Sequence, residues 1–380
     1  SLRRGAKVFA RFGSGKETDS SPIWIYDRLE EPTTLMLESQ VASMEGGECA
    51  VSFATGMGAI SSLLLALTRG GDHILAHRTL YGCTYSLLTE WLPRFGVNCT
   101  IANLNSPEGL GKIHSPHLRV VYFETISNPS LEILDIKKIV NLVKKENSRR
   151  PPEERIFIVV DNTFATPWAC RPLEWGVDFV VESLTKNISG FGTEMGGAVI
   201  GPKWAQHTLR LARKDFGAII HPWSAWHIMV FGIPTQSLRF EEQQRSALQV
   251  AHFLERHPKV DKVIYPGLKS HPQSHLAKKY LRSPEGKFSP GTMISFVLKG
   301  GMKRTEKVVD HIAKNAYSIT LAVSLGLTKT LIEVPGFMTH AAIPETKRKD
   351  SNIHPDLIRL SIGLEDPKDI ISDLNSALSR

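Results

Sequence analysis

The chain has 380 residues, 42% of them apolar, which is the make-up of a globular protein with a core of its own. No apolar run approaches the roughly 18 residues that cross a bilayer, and the opening Ser1-Leu2-Arg3-Arg4 lacks the apolar segment of a secretory leader, so a soluble, cytoplasmic protein is expected. Its net charge of +8 is spread thinly: the short clusters Arg149-Arg150 and Lys347-Arg348-Lys349 are not interleaved with aromatics, which excludes a nucleic-acid surface and fits solvated faces.

Residues 1–45 contain Gly, Ser and Pro with weak periodicity, and an irregular arm is expected there. Within it, Gly13-Ser14-Gly15-Lys16 lacks the spacing of a phosphate loop, because Ala10 stands where the first glycine belongs. Helical patterns then alternate with short, continuously apolar runs at Asp72 to Ala76, Leu118 to Phe123, Ile156 to Val160, Phe179 to Val181 and Ala198 to Ile200. Runs without inside/outside alternation read as strands buried on both faces of a mostly parallel sheet, which gives an α/β domain over 46–233. Asp161 ends one run and Lys186 follows another, at the strand ends where such sheets bind ligands.

After Pro234 a long helix from about Ser237 to Arg256 precedes strand-like pieces at Met293 to Leu298, Ser318 to Ala322 and Ile358 to Ile362, a smaller α+β domain over 234–380. Asp366-Pro367 opens the last helix as N-cap and first residue. The four cysteines show no Cys-x-x-Cys pair, so neither a zinc ribbon nor a disulfide framework is indicated and a reducing compartment fits. His271 and His275, beside prolines and without further ligands in sequence, read as a surface loop and not a metal site.

Four segments carry chemistry. Glu182-Ser183-Leu184-Thr185-Lys186 places two hydroxyls just before a lysine, with glycines at 190, 192, 196 and 197. Val159-Val160-Asp161 delivers a carboxylate to a strand tip, where a cationic ring nitrogen would satisfy it. Thr55-Gly56-Met57-Gly58 opens a helix whose backbone N–H groups can approach a phosphate. Tyr81, in Leu80-Tyr81-Gly82-Cys83, can stack on a planar ligand. A lysine, a ring-nitrogen acid, a phosphate cradle and an aromatic ring are together what pyridoxal 5′-phosphate (PLP) requires.

In this order the segments resemble the Cys/Met-metabolism PLP family, which includes cystathionine γ-synthase and its lyase relatives, O-acetylhomoserine sulfhydrylase and methionine γ-lyase. The resemblance runs from about Tyr26 to the C-terminus. It implies a fold-type-I, aminotransferase-like architecture and a homotetramer made of two tight dimers. It further implies that Lys186 forms the Schiff base, Asp161 meets the pyridine nitrogen and Tyr81 stacks on the ring. Gly56, Met57, Ser183 and Thr185 would bind the phosphate, joined by Tyr26 and Arg28 from the neighbouring subunit. Arg359 would grip the substrate α-carboxylate with Ser324 beside it, and Glu124 and Asn128 would lie near the ring substituents.

Within the family, Cys83 two residues after Tyr81 and the pair Lys214-Asp215 resemble the methionine γ-lyases, whereas Val323 stands where cystathionine enzymes often carry a glutamate. The resemblance therefore implies γ-elimination from methionine or a close analogue, with Tyr81, helped by Lys214, protonating the leaving thiolate and Cys83 shaping its pocket. O-acetylhomoserine sulfhydrylase is the next reading, followed by cystathionine γ-synthase or γ-lyase. The chain departs from the family pattern at Gly190-Phe191-Gly192-Thr193-Glu194, Ile126 and Glu31-Pro32-Thr33, which leaves the choice between elimination and replacement open. A catalytically silent scaffold of the same fold would take up no cofactor.

Overall fold

A computed structural model describes residues 2–14, 24, 26–341 and 352–380. Lys16 and the cluster Lys347-Arg348-Lys349 lie outside the described residues. Strands β1 (Cys49–Phe53), β2 (His73–His77), β3 (Asn98–Ala102), β4 (Leu118–Glu124), β5 (Phe157–Asp161), β6 (Phe179–Glu182) and β7 (Gly197–Gly201) form a seven-stranded sheet in the order β1-β7-β6-β5-β4-β2-β3. The pairings from β6 through β5, β4 and β2 to β3 are parallel, and β7 runs antiparallel to both of its neighbours. Alternate residues of one strand enter different cores. Val159 packs with Leu63 and Leu64 of the helix Gly56–Leu67, whereas Ile158 and Val160 pack with Ile139 and Val143 of the helix Ile136–Asn147. The sheet is thus covered on both faces, as its unbroken apolar runs require.

A five-stranded sheet, order β10-β11-β12-β9-β8, follows in the C-terminal part, built from β8 (Val260–Ile264), β9 (Met293–Leu298), β10 (Ile319–Leu321), β11 (Thr330–Glu333) and β12 (Ile358–Ser361). Its core joins Ile294, Phe296, Ile332 and Leu360 to the helices Ile233–Arg256, Gly301–Asn315 and Pro367–Ser379. Asp366 caps the last helix through the N–H of Lys368, with Pro367 in its first turn.

Two expectations fail. Among the described residues of the expected irregular arm, helices occupy Leu2–Ser14 and Pro32–Glu45, the second started by Glu31, whose carboxylate accepts the N–H groups of Thr33 and Thr34. Its inward face carries Thr34, Glu38 and Glu45 beside Leu37, Val41 and Ala42, so polar residues blur the apolar period. His271 is not on the surface either; it is buried, with Nε2 2.9 Å from the carbonyl of Leu131.

Candidate active site

Parallel pairing of β4 and β5 places Glu124 beside Asp161 at the carboxyl ends of neighbouring strands. Antiparallel pairing of β11 and β12 places Glu333 beside Arg359. Glu124, Asp161 and Arg359 line one cavity of about 330 Å³ together with Gly56, Met57, Tyr81, Asn128, Ser183, Thr185, Lys186, Val323 and Ser324.

Lys186 follows β6 in a short turn and donates from Nζ to Ser324 Oγ at 2.9 Å. Burial lowers the pKa of its amine, the Arg359 cation adds to this, and Glu333 opposes it. A larger neutral fraction is what a nucleophilic or basic lysine needs. Ser324 itself sits at φ +90°, a region L-residues rarely adopt. Two residues on, a Cβ on Gly326 would fall 2.7 Å from the backbone nitrogen of Asn187, so only glycine lets this turn close over the chain beside Lys186.

On the opposite wall Asp161 accepts the N–H of Thr163 at 3.0 Å and faces the Tyr122 hydroxyl at 3.5 Å. Burial raises the pKa of its carboxyl, against those hydrogen bonds, and among the described residues it makes no ion pair. Glu124 is raised further by burial and by Asp161, although both of its oxygens accept backbone N–H groups, from Tyr81 at 2.6 Å and Asn128 at 2.7 Å. Two desolvated acids side by side favour a cationic guest between them.

At the third wall the helix Gly56–Leu67 begins, capped by Thr55 Oγ1 on the N–H of Gly58. The cap leaves the N–H groups of Gly56 and Met57 without helical partners, at the positive end of the helix. A Cβ on Gly56 would lie 2.8 Å from Ser183 Cβ, so glycine is what brings this helix start against the segment before Lys186. Thr185 is committed in part: its hydroxyl exchanges hydrogen bonds with the backbone of Gly196 at 3.1 Å in both directions.

Arg359 is buried, with Nη1 on Asn128 Oδ1 at 2.8 Å and Nη2 shared between the Ser324 carbonyl and Glu333 Oε1, each at 2.9 Å. Its Nε has no hydrogen-bond partner among the described residues. Tyr81 has its hydroxyl 3.4 Å from Cys83 Sγ, and burial, then Cys83, hold its proton more tightly than in a free tyrosine. Cys83 is exposed, so it is not a small buried core residue.

Four expected residues are not among those that line this cavity: Cys83, Tyr26, Arg28 and Lys214. Tyr26 and Arg28 lie on the surface, the Arg28 guanidinium 5.2 Å from the Tyr26 ring centroid and bonded to the carbonyl of Lys214 at 3.0 Å, while Lys214 Nζ is 3.1 Å from Asp215. They form their own cluster. Glu333, Tyr122 and Thr163 were missed by sequence reasoning; a glutamate closing the apolar run Leu331-Ile332-Glu333 was the available signal for the first.

The lysine, the buried acids and the helix start fit an anionic, ring-bearing cofactor with a basic nitrogen, and comparison with known proteins decides which. Residues 7–379 match the model of the Cys/Met metabolism PLP-dependent enzymes. The chain belongs to this family. An L-methionine gamma-lyase of Porphyromonas gingivalis is 41% identical over 93% of this chain and 85% of its own length. One from Fusobacterium nucleatum subsp. polymorphum is 40% identical over 100% and 90%. The crystal structure of cystathionine gamma-lyase from Lactobacillus plantarum complexed with L-serine superposes with a TM-score of 0.86 at 32% identity, covering 96% of this chain and 90% of that one. For a PLP-dependent enzyme the fold is fold-type I: a mostly parallel α/β sheet domain with a second, smaller sheet following it.

Proposed function

We propose that this PLP enzyme is a carbon–sulfur lyase that eliminates the γ-substituent of methionine or a close analogue, giving a thiol, ammonia and 2-oxobutanoate. The observation that carries this reading is the convergence of Lys186, Asp161, Tyr81 and Arg359 on one cavity whose mouth holds Val323. An apolar residue there suits a thioether better than the charged distal end of cystathionine. The two methionine gamma-lyases at 41% and 40% identity support the same choice.

In this reading Asp161 holds the ring nitrogen, Lys186 holds the aldehyde carbon, and Ser183, Thr185 and the N–H groups of Gly56 and Met57 hold the phosphate. PLP supplies an electron sink that stabilises negative charge at the substrate carbon. Arg359 fixes the α-carboxylate with help from Asn128 and Ser324. Lys186, whose amine loses its proton more readily because of burial, would take the Cα proton. Burial keeps Tyr81 protonated, and with Lys214 of a neighbouring copy easing its release that proton would pass to the departing sulfur, with Cys83 shaping the sulfur's pocket.

Tyr26, Arg28 and Lys214 act, in this reading, on the cavity of a neighbouring copy, in a homotetramer of two tight dimers. Exposed Trp223, Trp226 and Phe231 offer the apolar surface such assembly would cover. All four cysteines are free, which supports a reducing compartment, and we place the enzyme in the cytoplasm. Among the described residues no helix is long and apolar enough to cross a membrane.

The test is turnover with methionine, with cystathionine, and with O-acetylhomoserine plus sulfide, measuring 2-oxobutanoate and product amino acids. Release of 2-oxobutanoate and a thiol from methionine is expected. Turnover of the last mixture alone would overturn the lyase reading and leave the family intact.

A further inference from the structure

Behind the cofactor cavity the fold buries a second pair of acids. Glu45 ends the helix Pro32–Glu45 and Glu182 ends β6, and both side chains are fully buried. The two carboxyls meet each other, and Asn162 ties them to the site: its Nδ2 donates to Glu45 Oε1 at 2.8 Å, its Oδ1 accepts the Thr125 hydroxyl at 2.7 Å, and its backbone follows directly on Asp161. With both acids ionised, neither oxygen of Glu182 nor Oε2 of Glu45 has a hydrogen-bond partner among the described residues.

Besides Asn162, the other groups facing the pair among the described residues are Asp161, Glu174, Cys170 and Arg171, so acids outnumber cations there. Arg171 is itself 3.4 Å from Glu174 and partly exposed. Two buried carboxylates in contact, without a cation between them, cannot both stay charged. A proton placed on Glu182 supplies the missing donor and turns mutual repulsion into a hydrogen bond.

We propose that Glu45 and Glu182 form a carboxylic acid–carboxylate pair holding one proton in common, and that through Asn162 this pair positions Asp161 and tunes its charge. Glu182 is the protonated member. Burial, followed by its contact with Glu45, raises its pKa far above that of an ordinary carboxyl, while burial brings Glu45 to about 7. The second half of the proposal rests on Asp161 as the partner of the ring nitrogen; the first half does not.

Because the folded protein keeps a proton that an unfolded glutamate releases above its usual pKa, the pair opposes folding increasingly as pH rises. Two readouts on the unaltered protein come first: a carboxylic-acid C=O stretch in the infrared at pH 8, and a thermal midpoint that falls from pH 5.5 to pH 8. Glu182→Gln copies the protonated group. It should remove one carboxyl's share of that band, leaving any contribution from Glu124, flatten the slope, and raise the midpoint at pH 8 by on the order of 2 °C, with a smaller gain at pH 5.5.

An unaltered protein without the band, or a Glu182→Gln variant with an unchanged pH slope, would overturn the shared proton. The coupling is read separately in the holoenzyme, where Glu45→Gln removes negative charge behind Asp161 and should move the pH titration of the visible cofactor band to lower pH. An unmoved titration overturns the coupling alone. A native protein that binds no PLP overturns the underlying reading of Asp161 and leaves the infrared result standing.

Discussion

Arg359 and Glu333 face each other across β12 and β11 at 2.9 Å, both buried, and the second oxygen of Glu333 has no hydrogen-bond partner among the described residues. Glu333 is therefore the anion that pairs with this buried cation inside the protein. Truncating Arg359 to alanine would strand that anion, at a cost of about 3–5 kcal/mol of stability, and confuse a binding defect with an unfolding one. Arg359→Lys keeps the charge and loses the planar fork. It should raise KM about 10-fold or more with a smaller change in kcat, and steady-state kinetics with methionine check this; an unchanged KM would remove Arg359 from carboxylate binding.

The hydrogen bond from Lys186 to Ser324 and the two hydrogen bonds on Asp161 separate cofactor attachment from cofactor activation. Lys186→Ala should abolish the long-wavelength absorbance and its loss on borohydride treatment. If Asp161 holds the ring nitrogen, Asp161→Asn should retain colour, since the amide still fits beside Thr163, yet lower turnover by about 100-fold or more. Absorbance and turnover measured on the same samples test both. Full activity in Asp161→Asn would show that the ring needs no carboxylate there.

How much of this was legible in the sequence depends on whether burial was carried by apolar residues. Strands such as Met293–Leu298 announce themselves, and so does the helix Ile233–Arg256. The helix Pro32–Glu45 does not, because Glu38 occupies a core position only by pairing with Arg213 and the Ser52 hydroxyl, partners far away in sequence. The family was readable because PLP chemistry demands particular residue types close together in the chain. Glu45, Glu182 and Glu333 were not, because each acts through a residue that only the fold brings near.

Glu132 gives the fold a predictable acid sensitivity. Burial would raise its pKa, but hydrogen bonds from His77 and Arg78 outweigh burial and hold it at about 2. Leu104 donates its N–H to His77 Nδ1 at 3.2 Å, so the ring carries its proton on Nε2 and reaches Glu132 as a neutral donor, in keeping with the lowered pKa that burial gives this histidine. Arg78 is then the counter-ion. A depressed carboxyl stabilises the folded state above its unfolded pKa and loses that contribution as pH falls toward the folded value. Glu132→Gln should cost about 2 kcal/mol at pH 7 and flatten the stability profile between about pH 4.5 and 2. Denaturant melts across that range decide; an equally steep acid loss in the variant would place the sensitivity elsewhere.

Subunit assembly is the remaining inference open to direct measurement. Trp223 and Trp226 lie with ring centroids 5.0 Å apart, and Phe231 packs edge-on to Trp226 at 5.6 Å. All three rings remain substantially exposed in the single chain. A tight patch of this kind is costly to leave in water and typical of a covered interface. Trp226→Glu should therefore lower the mass seen by light scattering or sedimentation. If Tyr26, Arg28 and Lys214 complete a neighbour's cavity, activity should fall with dissociation and recover at high protein concentration, because mass action restores the missing residues. A variant that sediments as a monomer with full activity at every concentration would confine the active site to one chain and assign the Arg28–Lys214 contact to the fold alone.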